Sequence, residues 1–107
     1  MQEPIDTENI ESNIEKAVDL LKALSNEKRL LIVCILYKGE KSVGELENLV
    51  NLSQSALSQH LARLRRDGLV TTRREAQTIF YSLNTEPPTH KLLELLCEIY
   101  PGVPLSE

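Results

Sequence analysis

The apolar positions of this chain fall into stretches of different period, and each stretch predicts an element. From Glu8 to Leu24, the residues Ile10, Ile14, Ala17, Leu21 and Leu24 alternate steps of four and three. That is the a/d seam of a helix that packs on another helix. Ser25-Asn26 supplies a cap, and Glu27–Tyr37 follows as a nearly all-apolar helix suited to burial. Lys38-Gly39-Glu40 ends it, with Gly39 as the C-terminal glycine. Ser42-Val43-Gly44-Glu45 fits a capping box, with Ser42 as N-cap and Glu45 returning to its backbone N–H. The helix it opens presents Val43, Leu46, Leu49 and Val50. Asn51-Leu52 turns the chain, and Ser53 caps the next helix. There Leu57, Leu61 and Leu64 form a buried stripe at i, i+4, i+7, while Gln54, Ser55, Ser58 and Gln59 project from the rest of the cylinder. Asp67-Gly68 stops it.

The period then drops to two. Leu69–Glu75 and Thr78–Leu83 are rich in Val, Thr, Ile, Phe and Tyr and read as two strands joined by the polar tip Arg74-Glu75-Ala76-Gln77. Thr85-Glu86-Pro87-Pro88 punctuates, and a last helix runs to about Tyr100, where Pro101-Gly102 terminates it. The fold class is therefore mainly α with a small β-hairpin wing, a winged helix-turn-helix in the order α-α-α-α-β-β-α. Residues 1–7 read as a disordered N-terminal tail, 8–100 as the DNA-binding domain and 101–107 as a C-terminal tail. Terminal helices this apolar on so short a chain need a partner surface, and a homodimer through the first and last helices is the economical solution. It sets two recognition helices about one turn of DNA apart, roughly 34–36 Å, matching a palindromic operator.

Composition narrows the class. At 107 residues there is room for one domain. The apolar run Leu30–Tyr37 is too short to span a bilayer. Met1–Thr7 carries neither a basic nor an apolar leader region, so no membrane partner is expected and the location reads as cytoplasmic and nucleoid-associated. The net charge of −4 looks wrong for a nucleic-acid binder, but it is segregated. Residues 1–24 carry −4, residues 25–52 balance, residues 53–81 carry +3 and residues 82–107 carry −3. Positive charge is confined to the Ser/Gln helix and the hairpin, where a duplex would lie.

Ser and Gln both donate and accept hydrogen bonds, which suits base edges in a groove. The expected DNA-binding set is Ser53, Gln54, Ser55, Ser58, Gln59 and His60 with Arg63 and Arg66 on the helix, and Arg73 and Arg74 on the wing. Gln54, Ser55, Ser58 and Gln59 read bases and adjacent phosphates, and Arg73–Arg74 clamp the flank. Arg63, Arg65 and Arg66 equally fit a solvated face beside Asp67. An enzyme is not expected. There is no Gly-rich phosphate loop, no Ser with a neighbouring base, no paired acids at a catalytic spacing and no Cys-x-x-Cys.

The stretches Leu21-Lys-Ala-Leu-Ser-Asn-Glu-Lys-Arg-Leu30, Ser42-Val-Gly-Glu-Leu46, Leu52-Ser-Gln-Ser-Ala-Leu-Ser-Gln-His-Leu61, Leu64-Arg-Arg-Asp-Gly-Leu-Val70 and Glu75-Ala-Gln-Thr-Ile-Phe-Tyr81 together resemble the ArsR/SmtB family of bacterial regulators. The resemblance runs from about Ala17 to Tyr100 and is closest to the thiol-based branch that senses reactive sulfur. It implies a homodimer on double-stranded operator DNA, released or altered when two cysteines are oxidised by persulfides or other reactive sulfur or oxygen species. It also allows an activator that displaces a silencing protein. Cys34 and Cys97 are the redox-sensing pair it points to. By burial habit alone, Cys34 in Leu31-Ile-Val-Cys-Ile-Leu36 reads as a small core hydrophobe, and the resemblance reverses that reading. The family's second sensing position falls on Pro101, and Cys97 lies one helical turn earlier.

Two alternatives stay open. One is a metal-responsive repressor, for which His90, Glu94 and Cys97 at i, i+4, i+7 are ligands of the right type. Thr85 and Pro87 or Pro88 take the places of its remaining acid and His, so no metal site and no cofactor is assigned. The other is a ligand-independent winged-helix anti-silencer or protein-interaction module.

Overall fold

A computed structural model describes residues 7–84 and 89–100, with the side chain of Cys97 outside that description. The order is α1 (Thr7–Leu24), α2 (Glu27–Lys38), β1 (Lys41–Ser42), α3 (Val43–Val50), α4 (Gln54–Arg66), β2 (Val70–Glu75), β3 (Thr78–Leu83) and α5 (Thr89–Ile99). The fold is the mainly helical winged helix-turn-helix expected, with one addition. The hairpin is joined by β1, giving an antiparallel sheet in the order β1-β3-β2. Lys41 pairs with Tyr81 and Ser42 with Phe80. A two-residue strand has no period to read, and Ser42 also serves as a helix cap, which is why it escaped the pattern. Of the tail expected at 1–7, Thr7 opens α1 instead, and residues 1–6 lie outside the described residues, as do the tail expected at 101–107 and the punctuation at 85–88.

The helix ends form where the local chemistry demands. The Asn26 side chain accepts the N–H groups of Lys28 (3.0 Å) and Arg29 (3.1 Å) to start α2. Ser42 and Glu45 close a reciprocal capping box at α3, with bonds of 3.1 and 3.0 Å. The Ser42 N–H holds the Glu45 carboxyl below the usual carboxylate range. Asn51 turns left-handed at φ 49° between α3 and α4, and Ser53 accepts the Ala56 N–H at 3.1 Å. Arg29 donates to the carbonyls of Ala23 (2.7 Å) and Lys22 (3.2 Å), satisfying acceptors that the end of α1 leaves open.

The core is gathered around α2. Its Ile32, Val33, Cys34 and Leu36 are buried with Leu46 and Val50 of α3, Leu57, Leu61 and Leu64 of α4, Leu69, Val70, Leu83 and Leu93. The expected leucine stripe of α4 is the buried one. α1 differs: of its residues only Ala23 and Leu24 are buried, and Thr7–Asp19 is exposed throughout. Its seam is therefore covered only at Leu24, with Ile14 54% and Leu21 55% exposed. On α5, Leu95 and Ile99 are exposed as well, and so is Tyr100 just beyond it. Among the described residues no helix is long and apolar enough to cross a membrane.

The junction from α4 to the sheet rests on Gly68. Leu69 N–H donates to Leu64 O (2.9 Å) and Gly68 N–H to Arg65 O (3.1 Å), a pairing that needs a left-handed residue at Gly68, whose φ is 78°. A methyl group there would meet no atom within 4 Å, so the cost of a side chain is backbone strain alone. Gly68→Ala is expected to lower unfolding free energy by about 1–2 kcal/mol, measured by urea titration. An unchanged midpoint would show that the junction adopts another geometry at no cost.

Candidate nucleic-acid interface

α4 buries one side and leaves the other polar. With Leu57, Leu61 and Leu64 turned inward, Gln54, Ser55, Ser58, Gln59, Ala62, Arg65 and Arg66 are exposed. Ser53 at the N-terminus is exposed too. Its oxygen caps the helix, leaving the hydroxyl proton to donate outward. The helix starts with unpaired N–H groups and the positive end of its dipole, which favours a phosphate there. Along this face a groove of about 620 Å³ runs between α4 and the sheet. It is lined by Ser58, Ala62, Arg65 and Arg66 of α4, with Val43 and the β3 residues Ile79 and Tyr81.

The structure divides the expected site residues. Gln54, Ser55, Ser58 and Gln59 share the open face. His60 is half-buried on another side of α4, and burial, with Arg29 nearby, pushes its pKa below the ordinary histidine range. It therefore stands neutral at neutral pH, a hydrogen-bonding group and not a cation. Arg63 is held by Asp67 at 2.8 Å, and Arg66 approaches the same carboxylate at 3.7 Å.

The two wing arginines part company. Successive strand residues face opposite sides of a sheet. Arg74 pairs across from Ile79, on the side that lines the groove, whereas Arg73 pairs across from Phe80 on the other. Arg73 is held there by two carboxylates. Its Nε and Nη2 donate to the two Glu40 oxygens at 2.8 and 2.7 Å, and its Nη1 donates to Glu75 at 2.7 Å. The guanidinium lies over the Phe80 ring, 4.4 Å from its centroid. Arg73 holds the Glu40 carboxyl below the usual range, and Glu40 in turn raises the pKa of Arg73. Among the described residues, Arg65 and Arg74 form no ion pair. Glu40, Phe80 and Ser82 were absent from the sequence-derived site. Only the strand register could have pointed to them.

Cys34 is 1% exposed in the middle of α2. Cys97 belongs to α5, and its side chain lies outside the described residues. One turn after Cys34, Tyr37 stacks on His90 with ring centroids 4.6 Å apart and donates to Glu94 at 3.4 Å, while His90 Nδ1 lies 3.5 Å from Glu94. These contacts bind α5 to α2. They join His90 and Glu94 of the expected ligand set, and among the described residues no third metal-binding side chain converges on them.

The arrangement matches known regulators. The family model for bacterial regulatory proteins of the arsR family covers residues 26–72. The transcriptional activator HlyU of Vibrio cholerae is 56% identical over 97 residues, covering 91% of this chain and 89% of that protein. A structure of reduced HlyU from Vibrio cholerae superposes with a TM-score of 0.81 at 57% identity, covering 87% of this chain and 97% of the other. The transcriptional repressor BigR of Xylella fastidiosa superposes with a TM-score of 0.79 at 43% identity, covering 90% and 97%. The chain belongs to the ArsR family of bacterial transcriptional regulators, DNA-binding winged helix-turn-helix proteins and not enzymes.

Proposed function

We propose that the chain acts as a homodimer on palindromic operator DNA and that its grip on DNA is altered when Cys34 and Cys97 are oxidised. The observation that carries the DNA reading is the division of its surface. The face of α4 is polar and exposed beside the groove and Arg74, and the exposed apolar residues of α1 and α5 lie elsewhere. Gln54, Ser55, Ser58 and Gln59 read base edges and neighbouring phosphates in the major groove. Ser53 and the α4 N-terminus take a phosphate. Arg74, Arg65 and Arg66 supply backbone contacts. Ile10, Ile14, Val18 and Leu21 of α1, with Leu95 and Ile99 of α5, meet the same residues of a second copy across a two-fold axis.

The thiol reading rests on the family and on the relative described in its reduced form. One persulfide, RSSH, and the two thiols would give the Cys34–Cys97 disulfide, the thiol RSH and hydrogen sulfide. A second RSSH would give a trisulfide, two RSH and hydrogen sulfide. The burial of Cys34 favours a second reading, in which it is a small apolar side chain of the core and the regulator takes another signal. Relatives include both an activator and a repressor, so family membership does not fix the sign of regulation.

Three outcomes are expected. In sedimentation the wild type runs as a dimer and Ile14→Glu as a folded monomer, since Ile14 is exposed in the protomer. A dimeric Ile14→Glu would remove α1 from the interface. In binding assays, Gln59→Ala lowers discrimination against single-base changes by about 1–3 kcal/mol, whereas Arg74→Ala weakens specific and random duplexes alike. Identical behaviour of the two variants would refute the division of roles. Intact mass after treatment with a persulfide donor shows a wild-type chain that has lost two hydrogens, with or without added sulfur, and neither Cys34→Ser nor Cys97→Ser forms the bridge. Separate adducts on each cysteine would leave the second reading standing.

A further inference from the structure

Arg73 and Arg74 are adjacent in the chain, yet among the described residues only Arg73 is paired with carboxylates. All three nitrogens of the Arg73 guanidinium donate to carboxylates, and its face is covered by Phe80. Since Lys41 and Ser42 pair with Tyr81 and Phe80, Glu40 stands level with Ser82 at the start of β1, and Ser82 Oγ donates to Glu40 at 3.1 Å. Glu40, Ser82, Phe80 and Arg73 thus form a stripe from the residue before β1 across β3 to β2, on the face away from α4.

We propose that Glu40 and Arg73 are a clamp that positions the wing for DNA without touching it. The proposal rests on the reading that α4 and the hairpin face the duplex. A two-stranded hairpin has little stability of its own, and the third strand has only two residues, so the ladder alone fixes the angle of the wing weakly. The clamp supplies the missing constraint. It reaches from the outer strand β2 over β3 to the residue that follows the Gly39 cap of α2, so the wing is held relative to the core helix. Fork-on-fork pairing of a guanidinium with a carboxylate fixes orientation as well as distance. For Arg73 to reach a phosphate it would have to leave two carboxylates, and the phosphate would meet both. Arg74, on the opposite face, is the residue the clamp aims.

The signs of the effects separate positioning from contact. Glu40→Gln removes a negative charge near the interface while keeping the side-chain shape, so electrostatics alone predicts tighter DNA binding. A clamp predicts weaker binding, by about twofold to fivefold per subunit. The probes are a duplex of about 30 base pairs, long enough for two half-sites, selected from a random library by the wild-type protein, and a random duplex of equal length. Glu40→Gln and Arg73→Gln should both weaken binding to the selected duplex and leave the slope of log K against log salt unchanged. Arg74→Ala should lower that slope by about 0.9 per subunit. Amide hydrogen exchange in β2 and β3, followed in the free protein, should quicken in Glu40→Gln while α4 keeps its protection.

Tighter binding by Glu40→Gln, or a slope lowered as far by Arg73→Gln as by Arg74→Ala, overturns the clamp. So does unchanged exchange in the hairpin. If Arg74→Ala changes neither affinity nor slope, it is the interface reading that fails, and the exchange measurement still decides whether Glu40 holds the wing.

Discussion

Everything in this protein is arranged around the need to bury α2. A helix with Leu30, Leu31, Ile32, Val33, Cys34, Ile35 and Leu36 in succession has no polar side to offer to water, so it is stable only when surrounded. α3 and α4 pack on it, β3 reaches it, and the Tyr37 contacts with His90 and Glu94 bring in α5. Each of those partners is amphipathic and turns its apolar side to α2. The outer face of α4 is thereby left to polar residues, and its orientation is set by the leucines on its other side. The candidate DNA-reading surface is the outward consequence of an inward packing requirement.

Charge is handled locally. A chain of net charge −4 presents a positive segment, but several of its cations are already committed. Arg63 answers Asp67, and Arg73 answers Glu40 and Glu75. Counting arginines along the sequence therefore overstates what a duplex would meet. The same engaged residues have another use, since an ion pair that holds an element in place contributes geometry where it subtracts charge. Screening by salt weakens exposed pairs of this kind, and bidentate pairing with an aromatic face beneath it makes the Arg73 cluster the most constrained of them.

What was legible in the sequence was whatever depends on neighbours within one or two turns. The capping box at Ser42 and Glu45, the Asn26 and Ser53 caps, the Gly68 stop and the Leu57, Leu61, Leu64 stripe follow from short-range chemistry, and the structure contains each. What was not legible depends on pairing between distant segments. Glu40 and Arg73 are separated by 33 positions, and nothing in either local stretch announces the other. β1 becomes a strand only because β3 passes beside it. Arg73 and Arg74 look equivalent as neighbours in the sequence, whereas alternation along the strand sends them to opposite faces once the register is known. His60 shows the same limit, since its half-burial near Arg29, which lowers its pKa, depends on a segment distant in the sequence.

The position of Cys34 connects these points. A thiol that is 1% exposed within α2 is first a packing element, filling the helix on which the other elements depend. If such a residue carries a signal, the signal acts where the whole fold is held together. A covalent bridge from Cys34 to α5 would change the core side of α4 and the base of the wing together, because both rest on α2. An exposed sensor would need a separate route to the DNA face. A buried one needs none: the helix that must be enclosed for the protein to fold is also the one on which α3, α4 and β3 pack.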